Sequence, residues 1–584
     1  VAPGHGPEDY KLGKMNKRPI ISPIDDHAHY TSEVGIFAGL DVPKGANAAV
    51  LRYLQEKGII LFHGSVTHSY PHCWRCGSKL IYRTTKQLYV NVARIKKKME
   101  KANKKVKWYP SIASTWFEEA VKGSPDWCIS RQRYWGTPIP LWKCDSCNEQ
   151  KAVGSARELK ELAGMDKELE DLHRQHVDRV TIKCGKCGGT MHRVKDIFDV
   201  WYDSGIAHTA SLSDDEFARL FPADWISESA DQIRGWFTVL LRTSVALYGK
   251  SPFERVSIGG MVKDELGQEM HRHLGNAISA NEMLGISSVD GFRLWSLSHP
   301  RWQELRIKKP ELVEANGNII TLYNIAELLK ELNSISGFDI KNIRKPKGKL
   351  EADERWIVSR LNSVISEITA DMDNYAIDSA VRKIRSFIVE DFSRFYLKFA
   401  KQRAELAPKA ELKRIVSVIA YLLKNTIIAA SIVIPFSTEH IYKELFNSKE
   451  SIFMEEWPKP SKRFIDKELE DEFELLKDVS NAVLSLREKS NVKLRWPIAS
   501  ISIETSEDET IKKLAHIEPL LCMYANAKTL EIKKGTVSSK EIKPLFSTIG
   551  PTFKGNAQTV AQELAKQNPD AVNAEIQKAG YFAL

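Results

Sequence analysis

The stretch DWCISRQRYWG, residues 126–136, decides how the chain is read. It sets Trp127, Tyr134 and Trp135 beside Arg131 and Arg133 in a tryptophan-rich loop that runs on to Trp142, and the sequence changes character on either side. Upstream, residues 1–110 mix short β-type runs, 20–24 and 58–64 among them, with glycine and proline. Downstream, residues 143–190 hold two C-x-x-C pairs around a charged, helical-looking stretch at 156–178. From 195 to 275 strand and helix patterns alternate, and 255–261 predicts a strand because Val256 and Ile258 alternate with small or polar residues.

A basic linker with proline and glycine, KNIRKPKGKLEADE at 341–354, marks a domain boundary. Beyond it the apolar period becomes helical. Trp356, Ile357, Leu361, Val364, Ile365 and Ile368 share one face; Val381, Ile384, Phe387, Ile388 and Phe392 share another; residues 412–436 supply a third. The pattern predicts an antiparallel helix bundle, followed beyond residue 500 by a smaller mixed unit.

A length of 584 residues suggests about four domains. The composition, 43% hydrophobic and 27% charged, is enough to fill several cores. A net charge of +10 leans mildly toward a polyanionic partner without requiring one. The longest apolar run, near 426–436, is too short to cross a bilayer, so no membrane association is expected. Val1 is not a methionine, which suggests a start inside a longer chain or after processing; with no secretory or transit pattern in view, the expected location is cytoplasmic.

Six of the eight cysteines form C-x-x-C pairs. Cys144/Cys147 and Cys184/Cys187 have the spacing of a four-thiolate, structural zinc site, which would leave no open position for catalysis. Cys73/Cys76 are half a site: either two unmetallated thiols, or ligands whose partners lie upstream of residue 1.

Six stretches, in order, resemble isoleucyl-tRNA synthetase, a class I aminoacyl-tRNA synthetase, in its archaeal or eukaryotic-type branch. They are APGHGPEDY (2–10), SYPHCWRCG (69–77), DWCISRQRYWG (126–136), DVWYDSG (199–205) with DQIRGWF (231–237), GQEMHRHLGN (267–276), and the KLRWP segment ending at Pro497. Valyl and leucyl relatives share the Ser-Arg-Gln core, while the Gly-His-Gly and Pro-His-Cys-Trp-Arg-Cys wording favours isoleucyl.

The resemblance implies ATP-dependent activation of isoleucine to isoleucyl-AMP and its transfer to isoleucine tRNA. ATP and Mg²⁺ enter as substrate, and misattached valine is edited hydrolytically. In the K-M-S-K-S-like loop, Arg272 stands where the family has its second lysine, and Met270 lies beside it at the ATP site. Glu269 and His273 replace the first lysine and the last serine. Glu228, Asp231 and Gln232 fall where the family holds the adenylate, with Ser229 in place of a glycine. Trp135 and Trp236 match walls of the isoleucine pocket, though a tryptophan read alone is more often core. Asp9 matches the editing aspartate; read alone, it caps a helix. The family's H-x-G-H signature has no match here.

The fold class expected is multidomain α/β. It comprises the C-terminal half of a class I Rossmann-type catalytic domain with part of the inserted editing domain, a zinc-knuckle insertion and an α-helical anticodon-binding bundle. The divisions expected are 1–110 editing, 111–142 return to the catalytic domain and 143–195 knuckle. They continue with 196–280 second catalytic half, 281–350 stem-contact junction, 351–500 anticodon bundle and 501–584 truncated tRNA-binding tail. The expected partners are isoleucine tRNA, isoleucine, ATP and a separate N-terminal half of the same enzyme; the chain is expected to be a monomer and inactive in adenylation alone. The alternative is a non-catalytic tRNA-binding paralogue, suggested by Ser229, Arg272 and His273.

Overall fold

The computed structural model describes residues 1–73, 76–272, 275–343, 345–346 and 348–535, and beyond them 549, 553–567, 569, 571–572 and 575–576. These divide into two units, residues 1–226 with 231–256 and residues 227–230 with 257–584.

In the first unit, helices α1 (Pro7–Met15) and α2 (Asn47–Glu56) precede α3 (Lys96–Asn103) and α4 (Ala113–Lys122). The expected β-type runs do not form a ladder. Ile24 makes a single bridge to Tyr30, and 58–64 is not strand. Neither run finds a neighbouring strand among the described residues, and a strand without a partner has no backbone bonds to hold it. A core does form around aromatic rings. Trp108 lies 4.8 Å from Phe117, 6.0 Å from Phe237 and 6.4 Å from Phe253. Its indole N–H donates to Asn103 Oδ1 at 2.9 Å, so the one polar atom of the ring is satisfied.

The knuckle segment is a small sheet. Strands β1 (Leu141–Cys144), β2 (Gln150–Ala152), β3 (Ile182–Lys183) and β4 (Thr190–Arg193) lie in the order β2-β1-β4-β3, all antiparallel. Its apolar centre is Trp142, Val153, Leu159, Val177, Ile182 and Met191. The stretch expected to be one helix breaks in two. α5 (Ala156–Ala163) is followed only at Arg174–Val177 by another helical turn. Gly164, at φ 65°, stops α5, and the Met165 N–H returns to the Lys160 carbonyl. The unit closes on α6 (Trp236–Tyr248), buried over most of its length and ended by Gly249 at φ 69°.

In the second unit, α7 (Val289–Leu297) and the 28-residue α8 (Lys309–Ser336) lead to α9 (Ala352–Asp373) and α10 (Ile377–Ser386). The two apolar faces read from the sequence are buried: Trp356, Ile357, Leu361, Val364, Ile365 and Ile368 on one, Val381, Ile384, Phe387, Ile388 and Phe392 on the other. The third run is two helices, α11 (Lys409–Ala430) and α12 (Pro435–Leu445). Pro435 lacks an N–H and its ring crowds the preceding turn, so it begins a helix rather than continuing one. After α13 (Lys467–Lys489), strands β5 (Ile498–Thr505) and β6 (Ala527–Lys534) pair in parallel across the crossover helix α14 (Asp508–Ala525). Leu514, Ile517 and Leu521 join the helical core. No helix among the described residues is long and apolar enough to cross a membrane.

Candidate functional site

Asp199 organises the motifs of the first unit. It is buried, and it accepts from Arg131 Nη2 at 2.8 Å and from the Trp127 indole N–H at 3.3 Å. It also caps the short helix Val200–Gly205. The loop at 126–136 is thereby fastened to the segment at 199–205. The pair is half-enclosed, with Asp199 buried and Arg131 partly exposed, and Arg131 also donates to the Cys128 and Ser130 carbonyls.

At the start of α6, the Gln232 side chain donates to Asp231 Oδ2 at 2.8 Å and accepts the Trp236 backbone N–H at 3.0 Å. A Cβ at Gly235 would sit 2.6 Å from Gln232 Oε1, so a larger residue there would displace the Gln232 side chain. The Trp236 indole N–H donates to the Ser204 carbonyl at 3.0 Å. Trp135 is held differently. It is 64% exposed and stacks on His173, rings 4.1 Å apart and 13° from parallel. Asp171 Oδ1 lies 2.6 Å from His173 Nδ1, and Arg174 donates to the Arg133 carbonyl at 2.9 Å. The knuckle segment thus grips the tryptophan loop from outside.

Glu228, Met270 and Arg272 belong to the second unit. Glu228 is exposed on the strand Ile226–Ser229. The loop bearing Arg272 is braced by two residues that the sequence reading passed over, Asp264 and Asn276. Asp264 accepts the Gln268 N–H at 2.7 Å, which with Asn276 holds its carboxyl below the usual range. The Asn276 amide donates to Asp264 Oδ2 at 2.9 Å and to the Glu269 carbonyl at 3.0 Å, and its oxygen accepts the His271 N–H at 2.9 Å. Gly267, at φ 80°, turns the chain within this brace. Met270 packs on the cluster of Trp295, Ile307, Leu312 and Ala315. Arg272 is exposed and makes no side-chain ion pair among the described residues. His273 lies outside them.

Asp9 sits in the first turn of α1 and accepts the Ala2 N–H at 2.7 Å. Negative charge is favoured there by the helix dipole.

The four knuckle sulfurs lie within 4.8 Å of one another. Cys144 and Cys187 are 3.5 Å apart, Cys147 and Cys184 3.6 Å. Tetrahedral zinc at about 2.3 Å from each sulfur needs edges of roughly 3.8 Å, so the residues present fit the ion. Each pair is carried by the same turn. Cys144 N–H donates to the Glu149 carbonyl and Asn148 N–H to the Cys144 carbonyl; Cys184 repeats this with Gly189 and Gly188. Asn148 (φ 59°) and Gly188 (φ 71°) take the left-handed position. The Cys147 N–H pulls the Cys144 thiol down to about 7. Cys147, although the Glu149 N–H favours its thiolate, is pushed up to about 12 by Cys187 and by burial. A bound cation would offset the mutual repulsion of four thiolates at this spacing. Behind them, Arg193 is tied to Asp178 and to the carbonyls of Ile139 and Asp196, fixing the base of the sheet.

Cys73 and Cys76 sit on a third copy of this turn. Cys73 N–H donates to the Ser78 carbonyl, Gly77 N–H to the Cys73 carbonyl, and Gly77 has φ 70°. Trp74 and Arg75 lie outside the described residues. The Ser78 hydroxyl, as hydrogen-bond partner, lowers the Cys76 thiol.

A motif-bearing α/β unit with a four-cysteine knuckle and a helical unit beyond it define a class, and comparison with known proteins gives the class its name. Residues 16–308 match the family tRNA synthetases class I (I, L, M and V), and residues 354–503 match the anticodon-binding domain of tRNA ligase. The chain belongs to the class I tRNA synthetases. It is 37% identical to the isoleucine–tRNA ligase of Archaeoglobus fulgidus, over 97% of this chain and 55% of that protein. It is 36% identical to that of Saccharolobus solfataricus, over 98% and 59% respectively. For the isoleucine–tRNA ligase of Methanosarcina mazei the figures are 35%, 100% and 57%. The chain thus spans little more than half the length of these curated relatives.

Proposed function

We propose that this chain is the part of an isoleucine–tRNA ligase that carries the second half of the catalytic fold, the zinc knuckle and the anticodon-binding bundle. The reaction is ATP-dependent formation of isoleucyl-AMP followed by acyl transfer to isoleucine tRNA. The observation that carries the reading is continuous similarity, over 97% of the chain, to proteins named isoleucine–tRNA ligase. The motif geometry supports it. Asp231 and Gln232 lie side by side just before α6, where they would bind polar groups of the adenylate, and Glu228 is exposed and would take the substrate ammonium. Trp236 and Trp135 would bound the isoleucine side chain. Arg272 would meet charge developing at the α-phosphate, with Met270 anchoring the loop. Zinc in the four-cysteine site would be structural. Asp9 is the editing aspartate in this reading; its bond to the Ala2 N–H leaves one carboxylate oxygen for a substrate amine. The protein would work as a cytoplasmic monomer.

The H-x-G-H signature is absent from the sequence, so this chain alone should not form the adenylate. Isoleucine-dependent exchange of pyrophosphate into ATP, measured with the N-terminal half supplied, tests the reading. Exchange roughly 100-fold more efficient with isoleucine than with valine, the most that one methylene allows, and none with leucine, is expected. No exchange with any amino acid would favour the non-catalytic tRNA-binding paralogue, for which Ser229 and Arg272 are the motivating departures.

A further inference from the structure

A cluster of lysines that no motif uses surrounds one cavity in the first unit. Residues 96–107, KKKMEKANKKVK, hold seven lysines against a single acid, Glu100. Lys98 and Lys101 lie three residues apart on one face of α3, and Lys105 and Lys107 follow where the chain leaves the helix. All four line a cavity of about 750 Å³, and Lys250 and Arg255 line it with them. Ala102, Val106 and Phe253 form an apolar floor, backed by the ring cluster of Trp108, Phe117 and Phe237. The Lys107 N–H donates to the Glu254 carbonyl at 2.9 Å, closing the floor between its two sides.

We propose that this cavity binds the phosphodiester backbone of RNA; the proposal rests on reading the chain as part of a tRNA ligase. Three observations carry it. Lys98, Lys101, Lys105 and Lys107 make no ion pair among the described residues, and the one carboxylate in the lining, Glu254, lies 3.9 Å from Arg255. Unneutralised charge of one sign repels itself, and a polyanion that sheds its counterions on binding turns that cost into affinity. The ring in the lining, Phe253, is buried, so the cavity offers no face on which a base could stack. Phosphates, not bases, are what it can hold, and contacts of that kind position a nucleic acid without reading its sequence. Finally, the cavity adjoins Gly249 at the end of α6, about 18 Å along the helix from Trp236 at its start. A strand held there would make contacts that the adenylate motifs do not.

The test uses the full chain, a tRNA transcript and, separately, inorganic tripolyphosphate. Lysine acylation mapped by peptide mass reads which side chains are covered, and fluorescence anisotropy across a salt series reads the number of phosphates engaged. RNA should protect Lys98, Lys101, Lys105 and Lys107. Replacing the four with glutamine should weaken RNA binding at least tenfold near 0.1 M salt and flatten the salt slope by about three, at about 0.7–0.9 per phosphate. The four Lys→Arg changes should preserve both, because charge rather than shape is what acts. Equal labelling with and without RNA would overturn the proposal. So would an unchanged slope in the glutamine variant, equal loss in the arginine variant, or protection by tripolyphosphate but not by RNA. The exchange assay contains no RNA, so its failure and a failure here are told apart.

Discussion

Arg272 is presented by its neighbours rather than by a side-chain ion pair of its own among the described residues. Asn276 and Asp264 tie the loop together on one side, Met270 anchors it in an apolar cluster on the other, and the guanidinium is left exposed. If that group stabilises the transition state for adenylate formation, Arg272→Ala should slow isoleucine-dependent pyrophosphate exchange roughly 100-fold, about 3 kcal/mol, in the enzyme completed with its N-terminal half. Arg272→Lys should retain most of the rate, since an ammonium supplies the same charge without the planar fork. An alanine variant as fast as the parent would remove Arg272 from the mechanism. The cysteines make a second residue-scale prediction. Metal analysis after mild chelation should find about one zinc per chain, and Cys184→Ser should lose it, because three thiolates cannot complete a closed tetrahedral site. Metal absent from both proteins would sink the assignment. The clustering of these four cysteines was legible because C-x-x-C spacing is local. Asp264, Asn276 and His173 were not, because each acts on a residue whose nearness appears only after folding: Asp264 and Asn276 are 12 positions apart, and His173 meets Trp135 from another segment.

Elements show the same division. The faces of α9 and α10 were legible because helical period alone assigns a side. The break between α11 and α12 was hidden inside a continuous apolar run, since Pro435 differs from its neighbours in backbone chemistry and not in hydrophobicity. The short β-type runs near the start were misleading because a strand's existence depends on its partner. The link that follows α12 depends on one carboxylate. Glu455 accepts from Tyr442 Oη at 2.7 Å and from Ser448 Oγ at 2.9 Å, with Lys424 Nζ at 3.0 Å. Burial alone would raise its carboxyl; the bonds from Tyr442, Lys424 and Ser448 outweigh that and lower it to about 2. A folded-state value below the unfolded one contributes stability that is complete above the unfolded value of 4.5 and is lost as pH falls toward about 2. Glu455→Gln should therefore cost about 1–2 kcal/mol at pH 7, discounted for the water around the group. The gap between variant and parent in urea unfolding should shrink steadily from pH 5 to pH 3. A gap that stays constant across that range would mean the charge of Glu455 contributes nothing to the fold.

At the scale of the molecule, the order of the motifs along the chain gave the family before any contact was known, and the fold class follows from it. Order along a chain does not say which groups meet. The sequence made Trp135 and Trp236 two walls of one pocket; in the fold Trp135 stacks on His173 and Trp236 donates to the Ser204 carbonyl. On the proposed reading, this chain by itself should bind tRNA. The helical unit matches an anticodon-binding domain from 354 to 503 and has a packed core: Trp356 stacks on Phe473 at 4.7 Å in a cluster that runs on to α14. If this bundle binds the anticodon, as its family match suggests, it does so whether or not an adenylate forms elsewhere, so binding and catalysis should separate. The net charge of +10 adds a component that reads no sequence and weakens as salt rises, because each phosphate neutralised releases counterions. Two transcripts, one for isoleucine tRNA and one unrelated, measured side by side from low to physiological salt, resolve the two components. Both should bind at low salt. As salt rises the unrelated tRNA should be released first, leaving a preference for the isoleucine tRNA that comes from base contacts and is insensitive to ionic strength. If the two affinities remain equal at every salt concentration, the bundle holds RNA by charge alone and does not read the anticodon.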